Sequence, residues 1–240
     1  MAIADAKWGV VVVAAGRGTR MGTAESKQYL MLRDKPILVH TLETFDSMDE
    51  IADICLVVGQ QDVERCKAFV SDYGLHKVAS VTAGGSERQH SVQLGLSALR
   101  GGVDWVMVHD GVRPFVTPKA VRACMTTAMA TGAAVLAVPV KDTIKQVNDS
   151  GVITATPERR SLWAIQTPQA FRRSLLERGL AQAAADRFVG TDDAMAVERL
   201  GVPVSVAEGD YTNIKITTPD DLPYAEFLLA NRERERGTDE

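Results

Sequence analysis

Residues 11–30 read VVVAAGRGTRMGTAESKQYL, and this stretch decides the fold. Trp8–Ala14 is a short, β-branched apolar run closed by glycine, the pattern of a buried strand. Behind it come three glycines together with Arg17, Arg20 and Lys27. A glycine-rich loop leaving a strand can turn backbone N–H groups towards phosphate, and basic side chains add fixed charge. Taken alone, the Gly16-x-Gly18 spacing signals no more than a tight turn.

Outward from this stretch, strand and helix patterns alternate. Pro36 to Phe45 carries apolar residues at helical spacing behind a proline at the helix start. Ile51–Val58 predicts a strand, Asp62–Val70 a helix and Val78–Val81 a weaker strand. Ser86 is the expected cap of a helix reaching Leu99, with Val92, Leu94, Leu96 and Leu99 as its apolar positions. Trp105–Val108 predicts a strand ending in His109-Asp110, Pro118–Ala130 a helix and Ala134–Val140 a further strand. The alternation implies βαβ units and a mainly parallel sheet covered on both faces, an α/β fold. Such sheets bind ligands beyond the carboxyl ends of their strands, so the opening loop and Asp110 are expected to share one site.

After Val140 the rhythm breaks. Two β-rich runs flank the turn cluster Asn148-Asp149-Ser150-Gly151, and both are polar at many positions. They predict a protruding β-hairpin arm, about residues 141–165. Helices are expected over Ala170–Ala185 and Asp192–Leu200, short strands over Val204–Val206 and Asn213–Ile216, and a last helix from Pro219.

At 240 residues, 45% hydrophobic and 24% charged, the chain can bury a sizeable core. A net charge of −4 argues against a molecule built to hold nucleic acid. Locally the balance reverses: Lys7, Arg17, Arg20 and Lys27 stand against Asp5 and Glu25, as a small anionic ligand near the loop would require. Cys55, Cys66 and Cys124 are odd in number and lack C-x-x-C spacing, so neither a disulfide framework nor a zinc site is indicated, and a cytoplasmic setting fits. The N-terminus lacks a secretory pattern and the apolar runs are far short of a membrane span. His40, His76 and His90 are scattered and suggest no metal cluster.

Two familiar phosphate loops fail against this stretch. The P-loop needs a glycine followed by lysine, and the dinucleotide fingerprint needs a third glycine where Met21 stands. AAGRGTRM followed by SKQY instead resembles the nucleotidyltransferases that join a nucleoside triphosphate to a phosphate-bearing acceptor. GGSERQHSV (residues 84–92), VHDGVRP (108–114), PVKDT (139–143), ERRSLWAIQTPQ (158–169), TDDA (191–194) and NIKIT (213–217) follow in that order. The ordered set resembles the 2-C-methyl-D-erythritol 4-phosphate cytidylyltransferase family of the non-mevalonate isoprenoid route, from Val10 to about Leu229.

The resemblance implies a single Rossmann-like nucleotidyltransferase domain over residues 1–240, with CTP and a polyol phosphate as substrates and Mg²⁺ as cofactor. It implies that Arg20 and Lys27 stabilise the reacting α-phosphate, with a weaker claim for Arg17, although surface Arg and Lys are ordinarily just solvated. Ala14, Ala15, Gly16, Gly18, Gly85, Ser86, Arg88 and Ser91 would hold the nucleotide. The family often carries an acid where Ser86 stands. Asp110 would bind the metal and the substrate; the ordinary reading is a turn former or cap. His109 beside it reads as structural, because an ionised phosphate needs no strong base. Lys215 and Arg159 would set the acceptor phosphate, Thr143 would stand nearby, and Arg113 and Thr191 are lesser acceptor contacts. Arg160 competes with Arg159, and the spacing to Trp163 favours Arg159. Gly111-Val112 departs from the alanine pair common in the family.

A two-stranded ribbon is only marginally stable alone. The resemblance implies a homodimer in which each arm completes the partner's site. Rival readings are the same transfer to ribitol 5-phosphate, transfer to a sugar 1-phosphate with another base, a non-catalytic nucleotide-binding module and, least of all, an NAD-dependent oxidoreductase.

Overall fold

The structure, a computed structural model, describes residue 3, residues 6–16 and residues 25–238. β1 (Trp8–Ala14) is followed by two short strands, β2 (Met31–Leu32) and β3 (Lys35–Pro36), and by α1 (Ile37–Asp46). β4 (Ile51–Val58), α2 (Val63–Asp72), β5 (Val78–Ala83), α3 (Arg88–Ala98) and β6 (Trp105–Asp110) continue the alternation. α4 (Pro118–Thr131) and β7 (Ala133–Pro139) come next, and β8 (Gln146–Val147) pairs with β9 (Ile153–Ala155) in a small separate ribbon. β10 (Trp163–Arg172), α5 (Arg173–Ala185), α6 (Ala194–Glu198), β11 (Ser205–Glu208) and α7 (Asp221–Thr238) complete the order.

The main sheet has seven strands in the order β11-β7-β10-β6-β1-β4-β5. β1 runs parallel to β4 and β6, β4 to β5, and β7 to β11, whereas β10 is antiparallel to both its neighbours. Val10 and Val12 enter one core with Leu38, Leu42, Phe45 and Val121; Val11 enters the other with Val92, Leu96 and Leu99. Because both faces are covered, the strand reads as one continuous apolar run rather than an alternation. Each such valine contributes about 1.5–3 kcal/mol on burial. α3 lies close on the sheet: a Cβ at Gly95 would stand 2.4 Å from Val11 Cγ1.

Connections from β1 lead outward through β4 to β5 on one side, and the chain then returns to place β6 on the other. A crevice opens beyond the carboxyl ends of the strands where the order reverses. Val13 pairs with Asp110 across that point, so the end of β1 and the end of β6 are side by side.

The structure corrects four local expectations. Residues 163–172 form a strand, and Trp163, Ala164 and Ile165 pair with β7, so the arm ends before them and the helix starts at Arg173 rather than Ala170. Pro168 and the polar residues around it disguise this strand, and its register with β7 shifts between Ile165 and Gln169. The N-cap of α3 is Glu87, without a side-chain cap; Ser86 Oγ instead meets His90 Nδ1 at 3.0 Å. Leu94 faces outward, 44% exposed, so it is not one of that helix's core positions. Residues 213–216 form no strand; the Ile216 N–H donates to Val112 O, and the side chains of Asn213 and Lys215 add further ties.

Candidate active site

The end of β1 supplies the floor of a cleft of about 200 Å³ through Val13, Ala14, Ala15 and Gly16. Its other walls are Lys27 and Gln28, the segment from Gly85 to Arg88 with Ser91, and Asp110, Val112 and Lys215. Lys27–Tyr29 is a single 3-10 turn, and Gln28 Nε2 donates to Ala14 O at 2.9 Å, which ties the Lys27 turn to the strand end. Gly84 and Gly85 let α3 come close. A Cβ at Gly84 would stand 2.6 Å from Ala15 Cβ and 2.7 Å from Ser91 Oγ. Ser91 Oγ accepts the Gly85 N–H at 3.1 Å and donates to Glu87 O at 3.2 Å, so Ser91 rather than Ser86 organises this turn.

Three cations converge on Asp110. Lys215 Nζ is 3.0 Å and Arg113 Nε 3.3 Å from Oδ2, and Arg88 Nη2 is 3.6 Å from Oδ1. Burial by itself would push this carboxyl up; Arg88, then Lys215 and Arg113, outweigh it and hold it well below the usual carboxylate range. Arg88 is fixed in turn by Asp193, Nη1 to Oδ2 at 2.7 Å. Burial opposes its charge, but Asp193 and Asp110 prevail and raise its pKa.

His109 is wholly buried, edge-on to Phe45 with ring centroids 4.9 Å apart. Burial pushes its imidazole down to about 3, against the opposing pull of Asp110. Thr167 Oγ1 lies 3.0 Å from Nδ1, and Arg113 O lies 3.3 Å from Nε2. These bonds fit a neutral ring with its proton on Nε2. The same hydroxyl accepts the Asp110 N–H at 3.0 Å. His109 therefore braces the end of β6 and does not face the cleft.

Of the residues expected from sequence, Ala14, Ala15, Gly16, Lys27, Gly85, Ser86, Arg88, Ser91, Asp110 and Lys215 line one cleft, and Arg113 stands beside Asp110. Gly18, Arg17 and Arg20 lie outside the described residues. Thr143 and Arg159 are exposed by the arm and do not line the cleft; Arg159 Nη1 donates to Lys141 O at 3.1 Å. Thr191 is exposed, with its hydroxyl on Met195 Sδ at 3.2 Å. Sequence reading missed Gln28, Asp193 and Thr167. Their position inside SKQY, TDDA and IQTPQ was the available signal.

A family model described as 2-C-methyl-D-erythritol 4-phosphate cytidylyltransferase matches residues 9–231. The chain belongs to this family. A protein of that name from Alkaliphilus metalliredigens is 49% identical over 233 residues, covering 97% of this chain and 96% of its own. One from Geobacter metallireducens is 46% identical over 226 residues, covering 92% and 97%. The crystal structure of 4-diphosphocytidyl-2C-methyl-D-erythritol synthase from Anaerococcus prevotii superposes with a TM-score of 0.83 at 31% identity, covering 96% of this chain and 99% of that one. A Cβ at Gly111 would stand 2.9 Å from Ala14 Cβ and 3.0 Å from Leu38 Cδ1, and Val112 forms part of the cleft wall.

Proposed function

We infer that the chain transfers CMP from CTP to 2-C-methyl-D-erythritol 4-phosphate, forming 4-diphosphocytidyl-2-C-methyl-D-erythritol and pyrophosphate in isoprenoid precursor biosynthesis. The observation that carries this reading is one cleft, in a chain of that family, where Lys27, Arg88 and Lys215 surround a glycine-lined strand end. An acceptor phosphate oxygen attacks the α-phosphorus in line. The bond from that phosphorus to the bridging oxygen breaks, and pyrophosphate leaves with the electron pair. Both reactants are anions, so positioning and charge stabilisation supply most of the catalysis.

In this reading Arg20 and Lys27 take up charge developing at the α-phosphate, and Lys215 sets the acceptor phosphate. The Ala14–Ala15 backbone, Gly85 and Ser91 read the cytosine edge, where small residues let main-chain groups come near, and Arg88 supports them. His109, buried and neutral, takes no proton. Mg²⁺ bound beside a triphosphate needs only one or two protein carboxylates, and here Asp110 would be the residue to hold it. Asp110 fits that role: it is an anion at neutral pH, and two of its three cations bind Oδ2, with Arg88 further off at Oδ1. When bound, the ion neutralises charge on the triphosphate.

The arm supports a homodimer. Val147, Val152 and Ile153 are exposed apolar residues on a ribbon that needs a surface to pack on. Arg159 and Thr143 would then complete the partner's cleft as acceptor contacts. Arg113, beside Asp110 in its own subunit, and Thr191 would be lesser acceptor contacts. A cytoplasmic setting is supported by three buried free thiols, with burial pushing Cys55 up to about 11 and Cys124 up to about 12. No helix among the described residues is long and apolar enough to cross a membrane.

The test is pyrophosphate release by the purified protein with CTP and either methylerythritol 4-phosphate or ribitol 5-phosphate, with UTP, ATP and GTP as competitors. Turnover with CTP and methylerythritol phosphate is expected. A preference for ribitol phosphate overturns the acceptor, and a preference for another base overturns the nucleotide.

A further inference from the structure

Lys215 lies between β11 and α7 in a stretch without regular secondary structure, yet its ammonium is placed 3.0 Å from Asp110 Oδ2. Side-chain hydrogen bonds do much of the work of holding that stretch. Gln166, on β10 and 7% exposed, donates from Nε2 to Asp210 O at 2.8 Å and accepts from Asn213 Nδ2 at 3.1 Å. One side-chain amide thus grips the stretch at two points. Asn213 is fully buried and also donates to Thr167 O at 2.9 Å. Gly209 makes room for the grip: a Cβ there would stand 2.4 Å from Gln166 Oε1. The next residue on β10, Thr167, receives the Asp110 N–H. Adjacent residues of one strand therefore hold the two halves of one ion pair.

We propose that Gln166 is a positioning residue that sets Lys215 against Asp110 by clamping residues 209–213, with Gly209 giving the amide its space. The inference rests on reading Lys215 as a residue of the reaction. Gln166 does not line the cleft, and it acts through the segment it grips. Without its amide, the Asp210 carbonyl keeps only the Asn213 N–H and the buried Asn213 side-chain amide keeps only Thr167 O, so the segment loses the ties that bind it to the Gln166 side chain and shifts. A misplacement of about 1 Å at a reacting group can cost roughly 100-fold in rate.

The experiment is a double-mutant cycle with steady-state kinetics for both substrates. Gln166→Ala removes the amide, Gly209→Ala pushes it aside, and Lys215→Ala is the reference. Each of the first two is expected to lower kcat/KM for the polyol phosphate by roughly 10- to 100-fold, while KM for CTP stays within about twofold. The double variant is expected to be little worse than Gln166→Ala, because the shortened side chain removes the main atoms the added methyl would displace and leaves only Ala137 O near it, at 3.3 Å. Additive losses, or a KM for CTP raised as far as that for the polyol phosphate, would mark general structural damage and overturn the clamp. If Gln166→Ala does not fold, Gln166→Met fills the same volume without the amide, and normal acceptor kinetics in that variant overturn the proposal. A fully active Lys215→Ala removes the reading of Lys215 and the inference with it. An inactive Lys215→Ala beside an unimpaired Gln166→Ala or Gln166→Met removes the clamp alone.

Discussion

Lys215 Nζ and Asp110 Oδ2 lie 3.0 Å apart, one on an irregular segment after the last sheet strand and the other at the carboxyl end of a central strand. Arg88 and Arg113 also approach Asp110, and Arg88 is shared with Asp193, so three cations stand against two carboxylates. The surplus positive charge faces the cleft where two anionic substrates must meet, and it is strongest where burial weakens screening by water.

Truncating the cleft lysines should expose this directly. Lys27→Ala and Lys215→Ala are each expected to lose on the order of 3 kcal/mol of transition-state stabilisation, or about 100-fold in kcat/KM. Arg20→Ala should behave alike. Pyrophosphate release under saturating CTP is the measurement, and near-normal turnover in Lys27→Ala would remove that residue from the chemistry.

Gly84→Ala probes the close approach of α3 to β1. Its added methyl would meet Ala15 Cβ and Ser91 Oγ well inside contact distance. The expected result is a loss of about 1–3 kcal/mol in urea unfolding, typical of overpacking, together with a raised KM for CTP. Unchanged CTP binding by calorimetry would show that this turn does not shape the nucleotide pocket.

Stability should depend on pH through His109. Its folded pKa is depressed to about 3, so between pH 6.5 and 3 the unfolded chain binds a proton that the native state refuses. Unfolding free energy should therefore fall with falling pH, by about 1.4 kcal/mol per pH unit from this group alone. Denaturant titrations of the parent and of His109→Gln at several pH values test this; the variant should show the shallower slope. Equal slopes would mean that His109 takes up its proton alike in the folded and unfolded chain.

Subunit mixing tests the arm. Arg159→Ala and Lys27→Ala should each be nearly inactive alone, and a refolded mixture should recover activity in heterodimers that carry one intact cleft. No recovery, with mixed dimers demonstrated, would place Arg159 in its own subunit's site or outside the reaction.

The parallel half of the sheet was legible because a strand buried on both faces leaves an unbroken apolar run. β1 and β4 have the bounds their residues predict. β10 was not legible. Gln166, Thr167 and Gln169 are buried polar residues whose partners, among them Asp210, His109 and Asp192, are remote in the chain. A local pattern cannot express a hydrogen bond that exists only after folding. The same holds for Asp193, whose value lies in holding Arg88.

Local side-chain chemistry alone therefore determined the alternation of elements, the glycine-lined strand end and the types of charge at the site. Which charges meet was decided by the tertiary structure. β1 and β6 became neighbours through a strand order that reverses between them, and the stretch before Lys215 is tied to β10 through the Gln166 side chain and the Thr167 carbonyl, on a strand remote in the chain. Burial then set how strongly those charges act, because the carboxylate of Asp110 keeps its charge only through cations that the fold brings to it from Arg88, Arg113 and Lys215.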